Sequence, residues 1–130
     1  MTQILDDILK ELPKGAVSDS VFEGANIILY TKDKEFFLTK GDLIRDIVNK
    51  VKKRIELRPD PSITMEIEKA EEFIRKIVPQ EAILGNVLFD PQRSIVVLEA
   101  EKPGIAIGKQ GEILKEIRKS TLWVPQVQRM

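Results

Sequence analysis

Apolar residues recur along the chain at helical and strand-like intervals, in an order that repeats once. Within residues 1–60 the pattern predicts a helix, two strands, a short helix, a longer helix and a strand. Residues 61–130 repeat the same six elements in the same order. Spacings of three to four residues are typical of a helix face, whereas strict alternation is typical of a strand. The pattern predicts an α+β fold of two units, each a sheet of about three strands packed on about three helices.

Residues that interrupt regular structure set the expected element boundaries. Pro13 and Pro79 are expected to close the opening helices of the two units. Residues Ala82 to Phe89 are predicted as a strand of the second unit. The segment Pro59-Asp60-Pro61 breaks the apolar pattern and is interpreted as the linker between the units.

The repeat is clearest where two amphipathic helices begin. The segment Gly41-Asp42-Leu43-Ile44-Arg45-Asp46-Ile47 matches Gly111-Glu112-Ile113-Leu114-Lys115-Glu116-Ile117 in residue type at every position. Chance could produce one such match, but matched order across all the elements indicates an internal duplication. Each copy is close to the lower size limit for independent folding.

Composition narrows the chemistry that such units can perform. The chain has 21 basic and 21 acidic side chains, so a polyanion has to be held by a local patch. The absence of cysteine and histidine excludes disulfides, Cys/His zinc sites and histidine-based catalysis. The sequence shows no signal peptide and no apolar run long enough to span a membrane. We expect a cytoplasmic protein with no membrane contact, no catalytic residue, no metal and no cofactor.

The candidate site is the segment Gly108-Lys109-Gln110-Gly111, which lies between two predicted helical stretches. Two glycines permit a tight turn and a close approach by a ligand. A helix that begins at the second glycine presents its positive end to phosphate. Lys109 adds a cation at the tip, and Lys115 and Arg118 on the next helix can add more. The pattern favours binding of a phosphate backbone without catalysis.

Two other interpretations of this loop are less consistent with the residues. A nucleotide-binding P-loop needs four residues between its glycines and a hydroxyl residue after the lysine. Here Gly104 and Gly108 are separated by three residues, and Gln110 follows the lysine. An ordinary glycine-containing bend between helices is the usual explanation of a lone G-x-x-G, but the order of the surrounding elements favours a specific site.

That order, with helix, strand, strand, helix, G-x-x-G, helix and strand, resembles the type II KH domain. KH domains clamp the backbone of about four nucleotides with this loop. The resemblance implies that the four loop residues contact the sugar-phosphate backbone of single-stranded RNA. It further implies an apolar groove for the bases, lined by Ile105, Ile107 and Leu114. It also implies flanking contacts to phosphate from Lys115 and Arg118. Core packing is the alternative for the three apolar residues, and a solvated face is the alternative for the two cations.

The aligned segment of the first unit is Leu38-Thr39-Lys40-Gly41, which lacks the first glycine. A side chain at Leu38 is expected to crowd the approach that Gly108 permits. The first unit, 1–60, is therefore interpreted as a degenerate KH copy, and 61–130 as the copy with an intact loop. The later basic residues of the first unit either extend an RNA path or form a solvated helix end; they are Lys50, Lys52, Lys53 and Arg54.

Two tandem KH-like units, of which only the second keeps its glycine pair, resemble the N-terminal region of archaeal homologues of the cleavage and polyadenylation specificity factor nuclease. The resemblance extends over the whole chain, including Pro103-Gly104-Ile105-Ala106-Ile107 and Trp123-Val124-Pro125-Gln126-Val127. It implies a parent protein with C-terminal β-CASP and metallo-β-lactamase domains. Zinc and ribonuclease activity are then expected only in those domains.

The resemblance predicts a module that positions single-stranded RNA for an attached ribonuclease, in RNA 3′-end processing or transcription termination. Two alternatives stay open from the sequence. A free-standing KH protein of the transcription or ribosome machinery shares the RNA chemistry without the nuclease. A protein-interaction or dimerisation module, for example a homodimer, is consistent with the neutral net charge and the altered first loop.

Overall fold

A computed structural model describes residues 2–130, with side chains from Ile4 onward. The chain forms two compact units, Met1–Ser62 and Ile63–Met130. Within the described residues, each unit contains three α-helices and one three-stranded sheet. The α+β fold predicted from the apolar pattern is confirmed.

The first unit places two helices in the connection between its second and third strands. Strand β2 is central; it pairs antiparallel with β1 and parallel with β3. Parallel neighbours require a crossover, which α2 and α3 provide. The elements are α1 (Thr2–Lys10), β1 (Asp19–Glu23), β2 (Asn26–Thr31), α2 (Lys34–Thr39), α3 (Gly41–Val51) and β3 (Ile55–Pro59).

The second unit has the same topology. Strand β5 is central, antiparallel to β4 and parallel to β6, and α5 and α6 form the crossover. The core lies between the helices and one face of the sheet, where Val96, Leu98 and Ala100 of β5 are fully buried. The elements are α4 (Ile67–Ile77), β4 (Leu84–Asp90), β5 (Ile95–Ala100), α5 (Pro103–Ile107), α6 (Glu112–Thr121) and β6 (Val124–Arg129).

The turns after the opening helices are alike in the two units. The Ala16 amide donates to the Pro13 carbonyl at 3.1 Å, and the Ala82 amide donates to the Pro79 carbonyl at 3.1 Å. Both alanines are buried. The predicted strand from Ala82 was therefore wrong at its start, because Ala82 closes this turn and Ile83 adopts a left-handed φ of 54° before β4 begins.

The crossover helices also end alike. Helices α3 and α6 both stop at a non-glycine residue in the left-handed conformation, Lys52 with φ 59° and Leu122 with φ 62°. The amide of each donates to the carbonyl four residues earlier, as in a helix C-cap. Ile47 and Ile117 occupy matching places and are both buried. These correspondences support the internal duplication.

Trp123 joins the beginning and the end of the second unit. Its side chain is buried, and its indole N–H donates to the Met65 carbonyl at 2.7 Å. Its ring packs edge-to-face against the Phe89 ring, with the two centroids 4.8 Å apart. The Met65 amide donates in turn to the Thr121 carbonyl at 2.8 Å. Since buried tryptophan N–H groups need a partner, this pairing holds the segment before α4 against the start of β6.

Arg58 forms a buried ion network on the first sheet. Its side chain is only 4% exposed and donates two hydrogen bonds to the Glu23 carboxylate, at 2.6 and 2.9 Å. It also donates to Glu56 and to the Tyr30 hydroxyl. Burial alone lowers the pKa of Arg58, but the hydrogen bonds to Glu23, Glu56 and Tyr30 outweigh it and raise the pKa above its usual range. The network therefore connects all three strands while Arg58 stays charged.

Asp60, in the segment interpreted as a linker, is tied to the first unit. Its amide donates to the Thr31 carbonyl at 2.7 Å. Its carboxylate accepts the Ser62 amide at 3.0 Å and the Ser18 hydroxyl at 2.8 Å. The Ser62 amide bond, with the Ser18 bond as a further cause, lowers the pKa of Asp60 below its ordinary 3.8 despite partial burial. The Pro-Asp-Pro segment thus ends the first unit as an ordered turn.

We expect Arg58→Ala to lower the free energy of unfolding of the first unit by about 2–3 kcal/mol, because it empties the buried place of the guanidinium and leaves two partly buried carboxylates without their cation. The matched control is Arg45→Ala. Arg45 pairs with Asp42 at 3.5 Å, with both side chains largely exposed, so its loss should cost less than about 1 kcal/mol. Urea titrations followed by amide signals of the first unit measure both. Equal losses would contradict the role given to Arg58.

The lowered pKa of Asp60 predicts an acid-dependent contribution to stability. The folded-state pKa lies below the unfolded value, so the contribution is present above that value and is lost as the pH falls through the folded pKa. Carboxyl NMR titration should give Asp60 a midpoint below 3.8. Ser18→Ala should move that midpoint upward, and an unchanged midpoint would rule out the Ser18 bond as a cause.

Candidate nucleic-acid interface

The Gly108–Gly111 loop contains three departures from ordinary backbone geometry. Helix α5 ends at Ile107, and Gly108 leaves it with φ 85° and ψ 168°. Gln110 and Gly111 then adopt left-handed conformations, with φ 57° and φ 75°. The Gly111 amide donates to the Gly108 carbonyl at 3.1 Å, which closes a single tight turn. This turn displays Lys109 and Gln110, both exposed, at its tip.

Gly108 also lies against the first turn of α6. A Cβ built on Gly108 would lie 2.8 Å from Ile113 Cγ1 and 3.0 Å from both Glu112 Cγ and the Ile113 amide nitrogen. Such distances are shorter than ordinary van der Waals contact, so a side chain here would displace the helix. Gly111 has open space at its Cβ position, and only its positive φ favours glycine. Glycine is thus favoured by positive φ at both positions, and at Gly108 also by the lack of space for a Cβ.

The charge around the loop is positive although the whole chain is neutral. Residues 102–119 contain five basic and two acidic side chains. Lys109 and Lys115 are exposed, whereas Arg118 is half-buried and engaged in an interaction. Residue 112, an exposed glutamate at the start of α6, is the carboxylate nearest the loop in sequence. The segment therefore carries a local excess of positive charge, which a polyanion requires in a chain of zero net charge.

The three apolar candidates occupy different environments. Ile105 is 36% exposed on α5, whereas Ile107 and Leu114 are half-buried. Leu114 packs against the core of the second unit, as does Ile113. Leu114 therefore has a packing role, and Ile105 is the most accessible of the three.

Ile113 shapes the candidate site, although the sequence did not indicate this role. Its spacing marked it only as an apolar position of a helix, and it does pack on the core. The structure adds that its Cγ1 and amide nitrogen form the wall that excludes a side chain at Gly108. No local motif indicates this contact, although the requirement for glycine five residues earlier is its indirect signal.

The corresponding place in the first unit has no such loop. Helix α2 continues through Leu38 and Thr39, and Lys40 alone separates it from α3. The Lys40 amide donates to the Phe36 carbonyl, and the Lys40 carbonyl accepts the Ile44 amide. The expected loop is thus replaced by a direct helix-to-helix junction, because Leu38 stays helical where Gly108 leaves the helix.

Metal-binding and membrane-spanning features are absent from the part of the chain that the structure describes. No group of three or more Asp, Glu, His or Cys side chains in that part is arranged to hold a metal ion. No helix among these residues has the length and apolar character needed to cross a membrane.

The fold and the loop define the class of protein. Residues 69–121 match the KH domain family, and residues 1–64 match the family described as the KH domain of transcription termination factor FttA. The chain therefore consists of two KH domains in tandem, a class of RNA-binding module.

The curated relatives that match this chain are archaeal transcription termination factors. The chain is 43% identical over 134 residues to transcription termination factor FttA of Thermococcus kodakarensis, covering 96% of this chain and 21% of that protein. FttA of Pyrococcus horikoshii is 42% identical, over 98% of this chain and 20% of the relative. FttA of Methanosarcina mazei is 40% identical, over 94% and 19%. The chain is similar to the tandem KH region of these archaeal factors and spans about a fifth of their length.

The two requirements for glycine predict a graded series of alanine substitutions. Gly104→Ala, in open space on α5, should stabilise the second unit by about 0.4–1 kcal/mol. Gly111→Ala should cost about 1–2 kcal/mol from its positive φ alone. Gly108→Ala should cost the most, because overpacking against Ile113 adds to the same strain. Urea titration followed by the fluorescence of Trp123, the single tryptophan, measures all three, and a different order would contradict the geometry.

Proposed function

We propose that this chain is the RNA-binding module of a transcription termination factor, and that its second KH domain clamps single-stranded RNA with Gly108, Lys109, Gln110 and Gly111. The observation that carries the proposal is the tight, exposed turn between α5 and α6, with a lysine at its tip and glycines on either side. Backbone without side chains lets a sugar-phosphate chain approach closely. The family matches over both units support the same class of ligand.

Each part of the loop has a distinct task in this proposal. Lys109 supplies a mobile cation that follows the phosphates, while Lys115 adds charge on the next helix. Arg118 is proposed as a secondary phosphate contact. Ile105 and Ile107 present apolar surface on which unpaired bases can lie, and Leu114 supports that surface from α6. The first domain, with no open turn at Lys40, does not hold RNA in this way.

We further propose that the module belongs to a longer protein in which C-terminal β-CASP and metallo-β-lactamase domains cleave the RNA. The chain spans about a fifth of the termination factors it matches, which leaves room for such domains. Zinc is proposed for those domains alone, and this chain has neither histidine nor cysteine to supply as ligands. Its task is to position the RNA before cleavage at termination.

The test is a titration of single-stranded RNA against Lys109→Asp/Gln110→Asp. This variant keeps both glycines, and aspartate tolerates the left-handed conformation at 110. We expect affinity to fall at least about tenfold and the slope of log affinity against log salt to shrink by about 0.7 for each phosphate that is no longer neutralised. The matched control is Thr39→Asp/Lys40→Asp, which makes the same change of charge at the corresponding place in the first domain.

The control variant should bind RNA nearly as tightly as the original chain. If both variants lose affinity equally, general repulsion explains the result and the clamp is not supported. If the loop variant binds as tightly as the original chain, the proposed function is wrong. The alternative of a self-associating module predicts instead a dimer whose formation is independent of RNA, which sedimentation with and without RNA measures.

A further inference from the structure

The first domain carries an exposed basic and aromatic surface away from its Lys40 junction. It consists of Phe22 at the end of β1 and of Lys52, Lys53 and Arg54 between α3 and β3, and we call it the hairpin-end surface. Phe22 is 40% exposed, so that its ring is accessible to a ligand, and the three cations are all exposed. Helix α3 begins at the Lys40 junction and ends at this surface.

The surface is held together by the fold of the first domain. The β1–β2 hairpin turns through two residues, with Gly24 at φ 62°. The Ile27 amide of β2 donates to the Arg54 carbonyl at 2.9 Å, which fastens the basic loop beside the hairpin. Phe22 and Lys53 line one shared surface cavity, together with Ile4, Gly24, Ala25 and Ile27. Phe22 and Lys53 are therefore neighbours in space, and Lys52 and Arg54 flank Lys53 in the same short connection.

The cations of this surface are available to a ligand. Among the described residues, no carboxylate forms an ion pair with Lys52, Lys53 or Arg54, whereas Lys50 pairs with Glu11. The two carboxylates on the adjoining strands, Glu23 and Glu56, are both held by the buried Arg58. Glu23 and Glu56 are thus paired with Arg58 and not with the three cations of the hairpin-end surface.

We propose that the hairpin-end surface is a second contact site for single-stranded RNA, in which an unpaired base stacks on Phe22 and adjacent phosphates bind Lys52, Lys53 and Arg54. This inference rests on the proposed function and extends it to the domain that has no clamp. An accessible aromatic ring beside several cations is the combination that binds single strands without reading their sequence. The first domain would therefore add affinity, while the second holds the backbone in its loop.

Charge and shape favour RNA over a protein partner at this place. A protein interface would bury a larger apolar area, whereas Phe22 is the one large exposed apolar side chain of the hairpin-end surface. Three consecutive cations match the closely spaced phosphates of a nucleic acid strand. Because stacking needs an unpaired base, a blunt RNA duplex offers the same charge without the stacking partner.

The test starts from the clamp-disabled variant Lys109→Asp/Gln110→Asp, so that binding by the loop does not obscure the second site. An unpaired RNA of about 4 nucleotides is titrated while amide signals are followed by NMR. We expect signals of residues 22–26 and 52–54 to shift. Adding Lys53→Glu/Arg54→Glu should abolish these shifts, whereas Lys32→Glu/Lys34→Glu, with the same change of charge on other exposed residues of the domain, should leave them.

Substitutions of Phe22 separate stacking from charge. Phe22→Leu should weaken binding at this site about fivefold or more, whereas Phe22→Trp should retain it and show quenched fluorescence on adding unpaired RNA. Trp123 is buried and should contribute a constant background. Equal binding by the leucine and tryptophan variants, or equal shifts with a blunt duplex, would overturn the stacking role.

The outcomes for the two sites are distinguishable. If the clamp-disabled variant shows no shifts at residues 22–26 and 52–54, the second site is wrong and the proposed function is untouched. If the loop substitutions leave RNA affinity unchanged, the proposed clamp is wrong whatever the hairpin-end surface does. Heteronuclear spectra of every variant establish that the first domain is folded before binding is compared.

Discussion

The close packing of Gly108 against Ile113 is the constraint on which the Gly108–Gly111 loop depends. The separation of 2.8 Å between a built Cβ and Ile113 Cγ1 leaves no room for a side chain, so the chain can leave α5 and enter α6 within four residues only with glycine at that place. Ile113 is held in turn by its packing on the core. The core of the domain therefore positions the loop, and the loop presents its lysine to solvent.

The two domains show how one fold gives two different surfaces. With leucine in place of the first glycine, α2 runs almost directly into α3 and no turn is displayed. The helices still end in the same left-handed cap, at Lys52 and Leu122, and the sheets keep the same topology. The architecture tolerates loss of the loop because the same sheet and helices form without it.

Polar groups inside each domain are few and fully engaged. Arg58 connects the three strands of the first sheet and keeps its charge because Glu23, Glu56 and Tyr30 surround it. In the second domain the buried Trp123 connects the segment before α4 with the start of β6, because its indole N–H donates to the Met65 carbonyl. No buried side-chain nitrogen or oxygen lacks a hydrogen-bond partner among the residues that the structure describes. Such networks specify one arrangement of strands because an unmade bond inside a protein is costly.

Local spacing along the chain determined the order of elements, the duplication and the position of the glycine loop, because helix and strand periods and turn residues act over a few neighbours. Spacing could not determine where the run from Ala82 stops being a turn and becomes a strand, or that α2 continues through Leu38. The first of these outcomes depends on a partner far along the chain, the Lys102 amide, which donates to the Ala82 carbonyl. Only the tertiary structure placed Ile113 behind Gly108, Arg58 between two carboxylates, and Phe22 beside Lys53, since each of these contacts is made by packing rather than by sequence neighbourhood.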